Sequence, residues 1–274
     1  MKFDLHVHST FSDGIKTVME LGREAKDAGL GGFALTDHDT IDGWNCIREA
    51  EAAYGITIFP GVEISTEYEH RNVHILGYCI KDEDALRENL KVLADSRKVR
   101  AVKIIEKLQA AGFDINYDEV CELSGDGTIG RPHIASVLTV KGYVKSNQQA
   151  FDKYLNRGKP FYVDRIKFTP MDAIKVIKEA GGYAVLAHPG LDQAIEFLDL
   201  LCECGLDGME VHHSSHNTHN SKKLAEKAVL KNLAQTAGSD YHGHTEVSHG
   251  MIGSVALGKE ELPYFLMEYL EGHQ

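Results

Sequence analysis

The chain has no apolar run approaching the ~18 residues that a membrane-spanning helix needs. Its first residues, Met1-Lys2-Phe3-Asp4, form no apolar signal core, so a cytoplasmic protein is expected. Cysteine pairing is missing too. Cys46, Cys79, Cys121, Cys202 and Cys204 are odd in number and scattered. The one close pair, C-x-C, lacks the second pair that a zinc site would add. Reduced, mostly buried thiols follow. Positive charge is short: 29 Lys and Arg stand against 41 Asp and Glu, a net of −12. That balance argues against a nonspecific binder of long duplex nucleic acid. There is no internal repeat and no low-complexity linker. No heptad seam or apolar surface stripe speaks to oligomeric state.

What is present is a chain of 274 residues, 43% of them hydrophobic. That length can bury one α/β barrel or two smaller domains. Fifteen histidines are many, and they cluster. Charge is uneven. From Arg87 to Lys167 there are 15 Lys and Arg against 10 Asp and Glu, a net of +5, which leaves −17 for the rest. Such asymmetry suits either an anion-receiving cap on a metal-rich body or a solvated helical surface.

Strand and helix signals alternate at both ends of the chain. Phe3–His8, Gly32–Thr36, Ile56–Phe59 running on through Pro60-Gly61, and Val73–Ile80 read as strands. Thr17–Ala28 and Gly43–Tyr54 read as helices between them. This order implies parallel strands with helices packed outside. From about Asp82 to Phe168 the pattern turns wholly helical. One apolar stripe runs from Leu86 through Leu93 and Ile104 to Ala111, and shorter helices are expected at Tyr117–Leu123, Pro132–Val140 and Gln148–Leu155. Arg97 lies in the stripe; snorkelling to water is the expected arrangement, and pointing into a shared cleft the alternative. Alternation then resumes with helices at Thr169–Glu179, Asp192–Cys202 and His219–Leu230. Strands are expected at Tyr183–Ala187, Gly208–Val211 and Leu233–Ala237, then two short ones around Ile252 and Val255. A last helix covers Lys259–Tyr269. The block 82–168 thus reads as a helical insertion into a barrel made by 1–81 and 169–274.

Polar residues recur at successive strand ends: His6, His8, Asp13, Asp37, His38, Glu63, His74, His188, His212, His216, Asp240 and His242. In parallel α/β folds sites lie at the carboxyl ends of the strands. Each residue alone has an ordinary explanation as a turn or a hydrogen-bonded core group. Gathered at one edge without partners they would be costly. Nitrogen and carboxylate donors without thiolate suit Zn²⁺, Mn²⁺ or Fe²⁺, and so many donors imply at least two ions. Glu63 is placed to bridge two cations. Such a pair can acidify water and clamp a phosphoryl oxygen, which is the chemistry of phosphate-ester hydrolysis.

These motifs resemble those of the PHP family, named for polymerase and histidinol phosphatase. The matching residues are His6-Val7-His8 with Asp13, Thr36-Asp37-His38, Gly61-Val62-Glu63, His74-Ile75-Leu76-Gly77, Ala187-His188-Pro189 and Ser239-Asp240-Tyr241-His242. The resemblance implies a distorted (β/α)7 barrel with two or three divalent ions. One ion would take His6, His8, Glu63 and Asp240; a second Glu63, His74 and His188; a third Asp13, His38 and His242. Many members have histidine where this chain has Asp13, a harder ligand that shifts preference toward Mn²⁺ or Fe²⁺.

The insertion, with Gly130-Arg131-Pro132-His133, together with Tyr154-Leu155, Gly158-Lys159-Pro160 and Glu210 to His216, looks like the subgroup acting on nucleoside bisphosphates, short RNA or cyclic sugar phosphates. It implies that Arg131 and His133 bind phosphate and that His216 is a substrate contact or acid. Glu63 would assist a metal-activated hydroxide, with His188 or His216 helping the leaving group. Three function classes follow: a 3′,5′-bisphosphonucleoside 3′-phosphatase or 5′-3′ exonuclease on short RNA; a cyclic-phosphate phosphodiesterase; and a noncatalytic metal-stabilised module, which the intact ligand set disfavours. Histidinol phosphate is a further small-monoester substrate, disfavoured by the insertion.

Overall fold

The computed structural model describes residues 1–124, 129–164, 168–191, 193–243 and 250–272. It opens with β1 (Lys2–Val7), α1 (Val18–Asp27), β2 (Gly32–Leu35), α2 (Ile47–Tyr54) and β3 (Thr57–Ile64). A small pair, β4 (Glu67–Tyr68) and β5 (Arg71–Asn72), leads into β6 (Ile75–Tyr78). The helical block holds α3 (Glu83–Ala110), α4 (Tyr117–Ser124), α5 (Arg131–Val140) and α6 (Asn147–Ala150), which continues as a π turn at Phe151–Leu155. Then come α7 (Pro170–Glu179), β7 (Tyr183–Leu186), α8 (Leu198–Glu203), β8 (Gly208–His213), α9 (Thr218–Leu230), β9 (Ala234–Gly238), β10 (Leu257–Gly258) and α10 (Tyr264–Gly272).

Local chemistry sets many of these limits. The Thr17 hydroxyl accepts from the Glu20 N–H, and Glu20 accepts from the Thr17 N–H, a reciprocal cap that starts α1. Thr169 and Asp172 do the same for α7. Gly55 ends α2 in the left-handed region at φ 63°. Several expected elements differ. The helices expected at 43–54 and 259–269 each begin with a 3-10 turn, Asp42–Cys46 before α2 and Lys259–Glu261 before α10. In place of one helix over 192–202 there is a 3-10 turn, Ala194–Phe197, before α8; Gln193 is left-handed at φ 55°, and Asp192 lies outside the described residues. Ile252 and Val255, expected in two short strands, lie in turns, with Gly253 left-handed at φ 75°, and the short β10 follows at Leu257–Gly258.

Seven strands make the barrel in the order β1-β2-β3-β6-β7-β8-β9, and β10 adds antiparallel to β1. The seam between β9 and β1 is drawn together beyond the strand ends. The Asp240 N–H donates to the His6 carbonyl and the His8 N–H to the Tyr241 carbonyl, each at 2.9 Å. This is the distorted α/β barrel with a helical insertion that the sequence implies. One feature corrects the expectation of parallel strands throughout: β6 is antiparallel to both β3 and β7. A parallel crossover needs about a dozen or more residues, usually with a helix. Between β3 and β6 the chain has only the β4–β5 turn, so β6 runs back down.

Two register shifts decide which side chains enter the barrel. A bulge gives one strand an extra residue and resets its alternation. In β1 the shift falls between Asp4 and Val7. Phe3 and Leu5 join the apolar floor, His6 and His8 meet in the polar centre, and Val7 packs outward under α1. In β8 it falls between Glu210 and His212. There Glu210 and His213 are buried while His212 is exposed.

The floor is closed by Phe265 and Leu266 of α10, which pack with Phe3, Phe59 and Tyr78. The 28-residue α3 belongs to two cores. Leu86, Leu90 and Leu93 pack with Ile64 and Ile174 on the barrel, whereas Ile104, Ile105 and Leu108 pack with Val120, Ile134 and Leu138 in the insertion. Arg97 marks the changeover. It does not snorkel. It is buried at 8% exposure, with Nε donating to Asp39 Oδ2 and Nη2 to Ser65 Oγ, both at 2.7 Å. A buried guanidinium is tolerable only with such partners. Among the described residues no helix is long and apolar enough to cross a membrane.

Candidate metal centre

The upper rim of the barrel gathers the predicted ligands. His6 and His8 come from the end of β1, Asp13 from the loop before α1, and His38 from just after β2. Glu63 is near the end of β3, His74 just before the reversed β6, His188 just after β7, and Asp240 and His242 beyond β9. Asp37, read in the sequence as part of this constellation, braces the loop that carries Asp13. Its carboxylate accepts from the Ser9 N–H and Oγ, both at 2.7 Å, and from Ser12 Oγ at 2.6 Å. Asp39, His188 and Asp240 all have positive φ, at 56°, 25° and 55°. Such backbone costs on the order of 1–3 kcal/mol per residue and persists only where surroundings fix it. Here hydrogen bonds do so: the Asp39 N–H donates to the Glu63 carbonyl at 3.0 Å, and the His188 N–H to Glu210 Oε2 at 2.8 Å.

Glu63 sits in the middle. Its Oε2 lies 3.3 Å from His6 Nε2, 3.3 Å from His8 Nε2 and 3.0 Å from His38 Nδ1. Its Oε1 lies 2.9 Å from His74 Nδ1 and 3.0 Å from His188 Nε2. Asp240 Oδ1 is 3.4 Å from His6 Nε2 and 3.1 Å from His8 Nε2. Asp13 Oδ1 is 3.2 Å from His242 Nε2, and its Oδ2 is 4.0 Å from His38 Nε2. Donor atoms close enough to share an ion therefore form overlapping groups: His6, His8, Glu63 and Asp240; His38, Glu63 and His74; His8, Asp13, His38 and His242; and His6, Glu210 and His213.

The donor set fits divalent cations. His6 Nε2, both nitrogens of His8, Asp13 Oδ1 and Glu63 Oε2 are buried and make no hydrogen bond. Buried polar atoms left so are costly unless something else binds them. Two ligands about 2.1 Å from one ion lie about 3.0–3.4 Å apart, the spacing found around Glu63. Electrostatics agree. Burial works to raise the Glu63 and Asp13 carboxyls, but the surrounding imidazoles, His38 foremost, hold both well below the ordinary carboxylate range. Burial works to lower His6, and Glu210, Glu63 and Asp240 outweigh it. Burial does lower His74.

Glu210 and His213 are the residues that sequence reading missed. Glu210 is fully buried and accepts from His6 Nδ1 at 3.1 Å, so it fixes which His6 nitrogen faces the centre. His213 Nε2 lies 3.5 Å from Asp240 Oδ2. His212, named in its place, points away and lines a separate surface cleft with Leu233 and Tyr264. The sequence signal was the buried charge in Gly208-Met209-Glu210-Val211; strict alternation would have paired Glu210 with His212, and the bulge undoes that. His216 lies apart from the donor groups. Its Nε2 accepts from the Gly190 N–H at 3.1 Å while Nδ1 bonds the Val211 carbonyl at 3.1 Å, and burial lowers its pKa.

Beside the donors opens a polar pocket of about 140 Å³ shared by Asp13, His38, His74, Arg97, Arg100 and Arg131. Arg131 donates to the Leu155 carbonyl at 3.1 Å and lies over the rings of Phe151 and Tyr162. His133, expected beside it, lines a different and larger cavity, and its Nδ1 accepts from the Gly130 N–H at 3.0 Å.

The profile of the PHP domain matches residues 4–158. The chain is 34% identical over 245 residues to the phosphoribosyl 1,2-cyclic phosphate 1,2-diphosphodiesterase of Eggerthella lenta, covering 88% of this chain and 94% of that protein. It is 38% identical over 253 residues to the 5′-3′ exoribonuclease of Haemophilus influenzae, covering 88% and 90%. Among solved structures, an amidohydrolase from Chromobacterium violaceum with bound sulfate and no metal superposes with a TM-score of 0.85 at 35% identity, covering 99% and 96%.

Proposed function

The chain belongs to the PHP domain family of metal-dependent phosphoesterases, and on that footing we propose that it acts on small nucleotides carrying two phosphates. The reaction is release of the 3′-phosphate from a 3′,5′-bisphosphonucleoside, or 5′-3′ hydrolysis of short 5′-phosphorylated RNA. The observation that carries this is the placement of Arg97, Arg100 and Arg131 in one pocket with Asp13, His38 and His74. A single phosphate needs only the metal centre. With Arg97 paired to Asp39, Arg100 and Arg131 are the guanidinium groups that would hold a second phosphate beside it. The activity of the exoribonuclease relative supports the reading.

In this proposal His6, His8, Glu63 and Asp240 would hold one ion, Glu63, His74 and His188 a second, and Asp13, His38 and His242 a third. The choice among Mn²⁺, Fe²⁺ and Zn²⁺ follows the nitrogen and oxygen donors. Bound divalent ions supply Lewis acidity, acidifying water and neutralising phosphoryl oxygens. Glu63 would serve two of these sites. His188, whose Nε2 lies 3.0 Å from Glu63 Oε1, would hold that carboxylate in place as well as an ion. Arg131 orients the phosphate that does not react, its plane set by Leu155, Phe151 and Tyr162. His216, with both nitrogens engaged, braces the His188-Pro189-Gly190 turn. The insertion, 82–168, covers the site contributed by 1–81 and 169–274.

A second reading, hydrolysis of a cyclic sugar phosphate, is favoured by the Eggerthella relative. The test is phosphate release by the Mn²⁺-loaded protein from bisphosphonucleosides, short RNAs, cyclic ribose phosphates and histidinol phosphate. The expected order puts kcat/KM for bisphosphonucleosides about tenfold or more above the cyclic esters. The reverse order establishes the second reading, and no release from any substrate establishes a noncatalytic module. His6→Ala and Asp240→Ala are expected to abolish turnover.

A further inference from the structure

Of the donor residues named above, Asp13 alone lines the larger cavity. That cavity measures about 530 Å³ and lies between the barrel and the insertion. Phe11, Ile15 and Met19 form the barrel wall; Leu123 and Pro132 form the insertion wall. Its volume is within the ~300–1,000 Å³ usual for small-molecule sites, and its lining is mostly apolar. Ile15 and Leu123 leave 51% and 49% of their surfaces open. Asp13 and Pro132 line this cavity and the arginine pocket alike, so the two adjoin at these residues.

An anion-binding pocket that adjoins an apolar one matches a molecule with phosphate at one end and a flat heteroaromatic ring at the other. A base-less sugar phosphate would fill the polar pocket alone. We infer that the 530 Å³ cavity is a nucleobase site, in which Ile15, Leu123 and Pro132 set a preference for nucleotides over base-less sugar phosphates. This rests on the two-phosphate nucleotide reading above and deepens it. The ribose sits at the boundary marked by Asp13 and Pro132, with one phosphate toward Arg131 and the other toward Glu63.

Calorimetric binding of adenosine 5′-monophosphate and of ribose 5-phosphate to the Mn²⁺-loaded full chain tests it without turnover. Adenosine 5′-monophosphate is expected to bind about tenfold or more tightly. Leu123→Trp and Ile15→Trp, both at half-exposed positions, are expected to fill the cavity and erase the difference. Equal affinities in the wild type, or a difference that survives both fillings, overturns the base site. Preferential binding of adenosine 5′-monophosphate with no phosphate release from bisphosphonucleosides leaves the base site standing and removes the proposed reaction. Release without any such preference does the opposite.

Discussion

The guanidinium of Arg97, midway along α3, bonds the carboxylate of Asp39 beyond β2, Nε to Oδ2 at 2.7 Å. One residue before Asp39 stands His38, and two after Glu63 stands Ser65, which Arg97 also reaches. The insertion is thus fastened to the two segments that carry central donors.

Arg97→Ala is expected to cost roughly 3–5 kcal/mol, because it strips a buried carboxylate of its cation. Arg97→Lys recovers only part, since one ammonium cannot reproduce the fork that spans Asp39 and Ser65. Urea unfolding reads both. A midpoint unchanged in Arg97→Ala would show that the contact carries no stability.

Glu210 supports the centre from behind. It accepts from His6 Nδ1 and from the His188 N–H. Glu210→Ala should lower metal affinity about 10–100-fold while leaving circular dichroism unchanged. Competition against a chromogenic chelator measures it. Affinity equal to wild type would reduce Glu210 to a filler of the barrel.

Stripping the ions should abolish phosphate release and lower the melting temperature, and adding Mn²⁺ back should restore both. Ions present at 100 times their Kd contribute about 2.7 kcal/mol by linkage. The pH dependence has a definite sign. Burial works to lower the pKa of His6, but its carboxylate neighbours raise it well above the ordinary value, so protons compete with cations for Nε2. Metal affinity should therefore fall as pH is lowered, read by titrations at several pH values. An affinity flat in pH would contradict the histidine ligands.

Burial pushes the Cys79 thiol up to about 12, and its Sγ–H donates to the Phe265 carbonyl at 3.4 Å. At pH 8 only about one molecule in 10⁴ carries the thiolate there. Iodoacetamide should label exposed Cys204 and leave Cys79 unmodified in the folded protein, as peptide mapping would show. Equal labelling of the two would mean that the floor opens readily.

Much of the centre was legible because its donors sit at strand ends in short runs such as His6-Val7-His8, where the strand period fixes which side chains share a face. The same rule failed at His212 and His213. A bulge is a backbone event that needs the neighbouring strand to define it, and β8 alone carries no mark of it. The reversal of β6 was hidden for a similar reason: Val73–Ile80 is apolar in either direction, and only the short connection after β3 betrays it. Arg97 was misjudged because the stripe around it is apolar, and its partner Asp39 lies far off in sequence. Gly238 shows the same dependence on the assembled sheet. A Cβ there would meet the His6 Cβ at 2.2 Å, a demand invisible before β9 is laid beside β1.

The reversed β6 delivers the chain to the floor, at the end of the barrel away from the donor groups. The Asp82 N–H bonds the Ala180 carbonyl there, at the foot of β7. The insertion sets out from that point along α3. At 1.5 Å per residue its 28 residues make a riser of about 42 Å. Half-way up, at Arg97, the helix meets the segments that carry His38 and Glu63, and its second half belongs to the core that presents Arg131 to the pocket shared with Asp13. The inverted strand thus lets one rigid rod belong to two cores, so that barrel and insertion are held in register along a single element.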